Sequence, residues 1–253
     1  MKRAAALLAF AITACGAERP RPAPQADCEA VIFEDAALTH CTADPAKHHI
    51  RTALDGRDGN PARSFAMLAE NLPAPAEVAF AMNAGMFDED GNPIGYYVEN
   101  GERRHTLNRN DGAGNFHLKP NGVFYGTGGT WQIRTTEDFA AKVNDRPEFA
   151  TQSGPMLVID GKLHPGFDAN GQSRKIRNGV GVDTQGRAHF VISETPVSFG
   201  KFARYFRDVL HTPNALFLDG SVSQLWDPGH GRRDDGVPLG PFIVVEQPTG
   251  RKP

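Results

Sequence analysis

The stretch NALFLDGSVSQLW, residues 214–226, contains an apolar run that ends on an acid. Ala215 to Leu218 read as a buried strand, and Asp219 follows with Gly220 and Ser221 behind it. A carboxylate at a strand end beside small residues fits two jobs. It can hold a turn, because Asp-Gly is a common turn pair, or it can be a reactive group at a pocket mouth. Three other stretches set polar or Gly-rich pieces against the end of an apolar run: AMNAGMFDEDGNPIGYYVENG, TQSGPMLVIDG and SRKIRNGVGVD. Glu194, in VISETP, also falls at a strand end and is a possible second carboxylate. Strand ends that feed loops are where sheets commonly place ligand sites. Trp226 lies seven residues past Asp219, close enough to that mouth to stack on a sugar ring.

Other chemistries lack their residues. Gln152-Ser153-Gly154 misses the first glycine of a nucleophile elbow, and neither a His-Glu-x-x-His pair nor a Walker loop is present. His105, His117, His164, His189 and His230 show no metal-ligand spacing. Asp88, Glu89, Asp90 and Asn92 lack the spacing and the late Glu of a calcium loop. The sequence implies neither a metal nor an organic cofactor. Asp183 and Asp160 sit in or beside turns and read as structural.

The elements that must position these residues are short. The chain has 253 residues, 40% hydrophobic and 23% charged, with 27 Gly and 19 Pro. That glycine and proline content suits many tight turns between strands. Residues 60–72 read as a helix capped by Asn60 with Pro61 in its first position. Residues 77–87 read as a strand running into Asn83-Ala84-Gly85, where small residues leave room near the backbone. Hairpins pivot on Asn100-Gly101, Gly128-Gly129, Asp160-Gly161 and Thr184 to Gly186. Residues 198–210 form the clearest helix, capped by Ser198, with Phe199, Phe202, Ala203, Phe206, Val209 and Leu210 as its apolar stripe. NALFLDG and PFIVVE supply the last strands. The fold expected is α+β: a mainly antiparallel or mixed sheet with a few helices, in one domain over residues 28–248.

Before that domain stands an export signal. MKRAAALLAFAITACG has a basic start and an apolar stretch too short to span a bilayer. Ile12-Thr13-Ala14-Cys15 resembles a lipobox, which implies cleavage before Cys15 and lipidation of its thiol. An ordinary signal peptide cut nearby is the alternative. Residues 1–15 are thus a signal, and the Pro- and Ala-rich residues 16–27 a tether. The expected place is the periplasmic side of the cell envelope, anchored to a membrane by lipid. There Cys28 and Cys41 are expected to pair, stabilising the fold by about 3 kcal/mol in a chain-entropy picture. Without Lys2 and Arg3, 25 basic residues face 30 acidic ones, which gives no electrostatic case for nucleic-acid binding.

Six stretches in order make the sequence familiar: NAGMF, NFHLKPNGVFYG, ATQSGPMLVIDGKLHP, RNGVGVD, ETPVSFGKFARYFRD and NALFLDGSVSQLW. Together they resemble the phosphodiester glycosidase family over about residues 75–246, with a closer likeness to an exported bacterial branch. The resemblance implies hydrolysis of a sugar joined through C1 to a phosphodiester, so that a phosphomonoester leaves. Such a leaving group has its second pKa near ~6 and needs little protonation. A carboxylate near C1 and a cation on the phosphate matter more. The family's Arg before a Gly-rich strand matches Arg177, which would clamp the phosphate. Its LDGGGS matches LDGSVS, making Asp219 the candidate carboxylate, with Ser221 and Val222 replacing two glycines. Asn83 matches the first residue of NGGFF and would bind sugar hydroxyls or orient a carboxylate. Gly85, Gly154 and Gly220, with Ser221, would shape the pocket. The partner expected is a glycan or sugar-phosphate substrate. Two rivals stand beside this reading: an envelope protein that binds glycan or a partner without turnover, and a phosphodiesterase that breaks the P–O bond.

Overall fold

The computed structural model describes residues 27–247. The expected signal, the lipidated Cys15 and most of the tether lie outside the described residues. In chain order the strands are β1 (Cys28–Phe33), β2 (Ala36–Ala43), β3 (His49–Ala53), β4 (Val78–Asn83), β5 (Tyr97–Glu99), β6 (Glu102–His105), β7 (Gly122–Thr127), β8 (Thr130–Thr135) and β9 (Phe149–Ser153). They continue with β10 (Met156–Ile159), β11 (Lys162–Leu163), β12 (Asn178–Val182), β13 (Ala188–Ser193), β14 (Asn214–Phe217), β15 (Leu225–Asp227), β16 (Arg232–Arg233) and β17 (Phe242–Glu246). Three helices, α1 (Phe65–Asn71), α2 (Thr136–Lys142) and α3 (Phe199–Arg204), interrupt them.

The strands build three sheets, ordered β1-β2-β13-β12-β14-β10-β11, β16-β15-β4-β17-β3 and β6-β5-β9-β7-β8. The paired strands run antiparallel, and the α+β class expected from the sequence is the class observed. One core joins all three sheets: Phe80 and Ile243 from the second, Phe124 from the third, Phe190 and Leu216 from the first. The other face of the seven-stranded sheet carries α3 and the turn that continues it, from which Phe202 and Phe206 pack on Leu157, Val191 and Phe217. Burying one such ring contributes roughly 1.5–3 kcal/mol, so these contacts fix where the strand ends lie.

The hairpin turns fall where the sequence places them. Asn100 and Gly101 have φ of 51° and 76°, and Asp160 and Gly161 have 46° and 76°. Two consecutive left-handed residues suit the twist of a tight antiparallel hairpin. Helix α1 departs from expectation. Ser64 caps it, its Oγ accepting from Met67 N at 3.2 Å. Asn60 instead bonds to Asp58, and Pro61 forms an extended bridge with Asp55, which keeps residues 60–63 out of the helix. Helix α3 does start at its Ser198 cap but widens into a π-turn over Tyr205–Val209. The wider turn rotates Val209 off the apolar face, leaving it 45% exposed. Strands β1 to β3 carried no clear sequence signal. Cys28 and Cys41 face each other across β1 and β2 and form the expected disulfide.

Candidate active site

Four chain segments end at one place. Arg177 immediately precedes β12, and Asp219 follows β14 by two residues. Antiparallel pairing, Gly179 opposite Phe217, puts both at the same end of the strand pair. Asn83 closes β4 in the neighbouring sheet, and Gln224 stands just before β15.

Asn178 ties these ends together. Its Nδ2 donates to Asn83 Oδ1 at 2.9 Å, and its Oδ1 accepts from Asp219 N at 2.9 Å. Asn83 Oδ1 also accepts from Gln224 N at 2.9 Å. Asn83 is 1% exposed, and its Nδ2 is buried without a hydrogen-bond acceptor. A buried donor of this kind costs about 1–3 kcal/mol unless something accepts from it. Asn178 itself was not singled out in the sequence. The signal was its place directly after Arg177, at the first inward-facing position of a Gly-rich strand.

Asp219 is buried and makes no ion pair among the described residues. Burial pushes its carboxyl up to about 6, and the Ser221 N–H, donating to Oδ1 at 3.0 Å, pulls only weakly the other way. Ser223 Oγ donates to the Asp219 carbonyl at 2.7 Å and pins the turn. Gly220 leaves no room for a side chain: a Cβ there would stand 2.7 Å from the Phe217 ring. Val222, at one position where the family pattern has glycine, packs against the core cluster around Phe65 and Trp226. An open hollow of about 600 Å³ borders this turn, lined by Ile176, Gly220, Ser221, Gln224, Arg233 and Asp235.

Arg177 is 1% exposed. Its Nε donates to the Val197 carbonyl at 2.9 Å and its Nη2 to the Ser173 carbonyl at 3.0 Å. It makes no ion pair among the described residues, and burial lowers its guanidinium to about 10. A buried cation with no counter-anion is expensive, and such groups cluster at functional sites.

The other expected site residues sit elsewhere or do other work. Glu194 is exposed. Its carboxylate takes Arg232 Nη1 at 2.5 Å and Thr39 Oγ1 at 2.6 Å, a surface cluster that accounts for it without substrate. Trp226 is 8% exposed and packs its indole on Phe65 with ring centres 6.2 Å apart, so it is a core residue here and presents no open face to a sugar. Gly85 and Gly154 are close-approach positions. A Cβ at Gly85 would meet the Gln152 carbonyl at 2.3 Å, and one at Gly154 the Asn121 Cβ at 2.6 Å. Gln152 uses both ends of its amide: Oε1 accepts from Tyr96 N and Asn108 N, while Nε2 donates to Asn108 O and Thr136 Oγ1. No three His, Cys, Asp or Glu side chains among the described residues come together as a metal-binding group.

A second buried polar chain crosses the far part of the same sheet. His40 Nε2 meets His189 Nδ1 at 2.9 Å, His189 Nε2 meets Asp183 Oδ2 at 3.0 Å, and Arg187 Nε donates to the same oxygen at 2.7 Å. Glu29 Oε1 lies 3.3 Å from His40 Nδ1. Burial, and then the neighbouring His189, lowers His40 to about 4. Burial raises Asp183, but bonds from His189 and Arg187 outweigh it and hold the carboxyl at about 2.

Antiparallel sheets thus meet at an amide-tied carboxylate, with a buried arginine at the same strand ends. The family is settled by comparison. Residues 76–237 match the phosphodiester glycosidase family, and the chain belongs to it. It is 33% identical over 225 residues to the uncharacterized protein YigE of Escherichia coli (strain K12), covering 86% of this chain and 88% of that one. The fold is shared with the catalytic domain of zebrafish N-acetylglucosamine-1-phosphodiester alpha-N-acetylglucosaminidase, auto-inhibited by its pro-peptide. That match has a TM-score of 0.59 at 13% identity, over 87% of this chain and 82% of the other. A hypothetical protein from Synechocystis also shares it, with TM-score 0.56, 18% identity, and 86% and 61% of the two chains covered.

Proposed function

We propose that this protein is an exported hydrolase that breaks the C1–O bond of a sugar-1-phosphodiester in the cell envelope. One observation carries the reading. Asp219, Arg177 and the Asn83 amide are buried near the same strand ends; Asp219 and Arg177 have no counter-ion among the described residues, and Asn83 Nδ2 has no acceptor. A sugar phosphodiester supplies all three partners: developing positive charge at C1, a phosphate anion, and hydroxyl acceptors. Water adds to C1, the C1–O bond breaks with its electron pair on the phosphate oxygen, and a phosphomonoester leaves. Above its titration near 6, Asp219 is a carboxylate able to stabilise or attack the sugar carbon. Arg177 offers its remaining N–H groups to the phosphate. The family membership supports a hydrolase of this class, and the leader residues support export with a lipid on Cys15.

The test is turnover of a panel of sugar-1-phosphodiesters in oxygen-18 water, with Asp219→Asn alongside. Label in the free sugar, abolished by Asp219→Asn, is the expected result. Label in the phosphate would mean P–O cleavage and overturn the glycosidase reading. Glycan binding that survives Asp219→Asn, with no turnover by either protein, would make the chain a binder.

A further inference from the structure

Arg177 rests on a stack of rings. The guanidinium carbon lies 3.5 Å above the centre of Phe199. Phe199 is nearly parallel to Phe167, at 8° and 4.9 Å, and Phe167 stacks on His164 at 4.6 Å. Phe217 closes the column edge-on, 4.9 Å from Phe199 and 5.6 Å from the guanidinium. In the sequence Phe199 counts as one more member of the α3 apolar stripe. In the fold it is only half-buried, and its ring face is turned to a cation.

The ring and the two carbonyls constrain different things. Val197 O and Ser173 O hold the edge formed by Nε and Nη2. They leave rotation about that edge to be fixed by something else. A flat ring 3.5 Å away fixes it, because a guanidinium lying parallel to an aromatic face keeps both dispersion and cation–π attraction. With the plane set, Nη1 and the second N–H of Nη2 point along one direction, and no protein group among the described residues accepts from Nη1. Val197 O and Phe199 come from one three-residue segment, so a single turn supplies both constraints.

We propose that Phe199 is a positioning residue for anion binding: its ring sets the plane of the Arg177 guanidinium so that the free N–H edge meets a phosphate oxyanion. This rests on the reading of Arg177 as the phosphate contact. An aliphatic residue of similar volume would fill the space but leave the plane loose.

The experiment titrates the whole protein with inorganic phosphate and follows the Arg177 Nε–H signal in arginine-labelled protein by NMR. Wild type, Phe199→Leu, Phe199→Tyr, Phe167→Leu and Phe202→Leu are compared, with thermal melting as the check on folding. Phe199→Leu is expected to weaken phosphate binding about tenfold and Phe199→Tyr by less than about twofold. Phe167→Leu, one layer removed, should cost about two- to threefold and keeps the question answerable if Phe199→Leu does not fold. Phe202→Leu lowers the melting temperature without changing affinity. Unchanged affinity in both Phe199→Leu and Phe167→Leu overturns the positioning role alone. Equal losses in Phe199→Tyr and Phe199→Leu, both folded, also overturn it. Wild-type protein that binds no phosphate overturns the anion reading of Arg177, and the positioning role with it.

Discussion

Two polar groups touch the seven-stranded sheet, and they differ in completeness. In the chain Glu29–His40–His189–Asp183–Arg187, each ionisable group has a partner within 3.3 Å. In the group Asn83–Asn178–Asp219 with Arg177, the amide bonds are made, but Asp219 and Arg177 have no counter-ion and Asn83 Nδ2 has no acceptor. Both groups have buried members, His40, His189 and Asp183 in one and Asn83, Asn178, Asp219 and Arg177 in the other, so burial alone does not mark a site. What separates them is the unmet valence, since a folded protein leaves few buried polar groups unpaired without a reason.

The largest effect should come from the open group. Asp219→Asn is expected to lower turnover of a sugar phosphodiester by about 10²–10⁴-fold, measured as kcat. Because the folded pKa of Asp219 is raised to about 6 from 3.8, burying its charge opposes folding above pH 6. That cost disappears as pH falls through 6 towards 3.8. Asp219→Asn should therefore gain about 1–2 kcal/mol at pH 7.5 in urea unfolding and gain nothing near pH 3.5. An Asp219→Asn protein that is less stable at pH 7.5 would erase the contrast between the two groups.

Arg177→Lys comes next. A point charge cannot lie flat on Phe199 or reach two carbonyls, so KM for the phosphodiester should rise about ten- to a hundredfold with kcat less affected. The closed chain should behave in the opposite way. Asp183→Asn leaves His189 and Arg187 short of a carboxylate and should cost about 2–3 kcal/mol in urea unfolding, with kcat unchanged. The two chains also respond to acid with opposite sign. His40 titrates near 4 when folded and 6.5 when unfolded, so its contribution to stability is whole above 6.5 and is lost as pH falls from 6.5 to 4. His40→Phe should flatten the stability curve in that window, where Asp219→Asn steepens its decline. The smallest effect belongs to Glu194→Gln, a surface ion pair worth about 1 kcal/mol or less. A hundredfold loss of activity there would restore Glu194 as a second carboxylate and redraw the site.

The sequence made some of this readable and hid the rest for physical reasons. Hairpin turns were legible because Asn-Gly and Asp-Gly pairs supply the left-handed backbone locally. The helix caps were half legible: Ser198 was found, while Asn60 lost to Ser64 because Asp58 captured its amide. Asp219 and Arg177 were visible as polar residues next to apolar runs. Asn178 was not, because its role exists only where two sheets meet and no spacing along the chain encodes that meeting. Trp226 was hidden for a related reason: a position near Asp219 in sequence says nothing of which face of β15 it occupies, and that face looks into the core. Phe199 illustrates the converse, since an aromatic at a helical stripe position is also a platform for a cation two strands away.

The bond from Asn178 to Asn83 crosses from the first sheet to the second. The candidate site is therefore a seam, and neither sheet owns it. A chain whose sheets have formed but not docked holds Asp219 and Asn83 on separate bodies and leaves the candidate site unassembled. Activity then reports on docking as faithfully as any spectroscopic probe: in refolding, turnover should lag the recovery of strand signal and rise together with the burial of Phe80 and Phe190 across the interface.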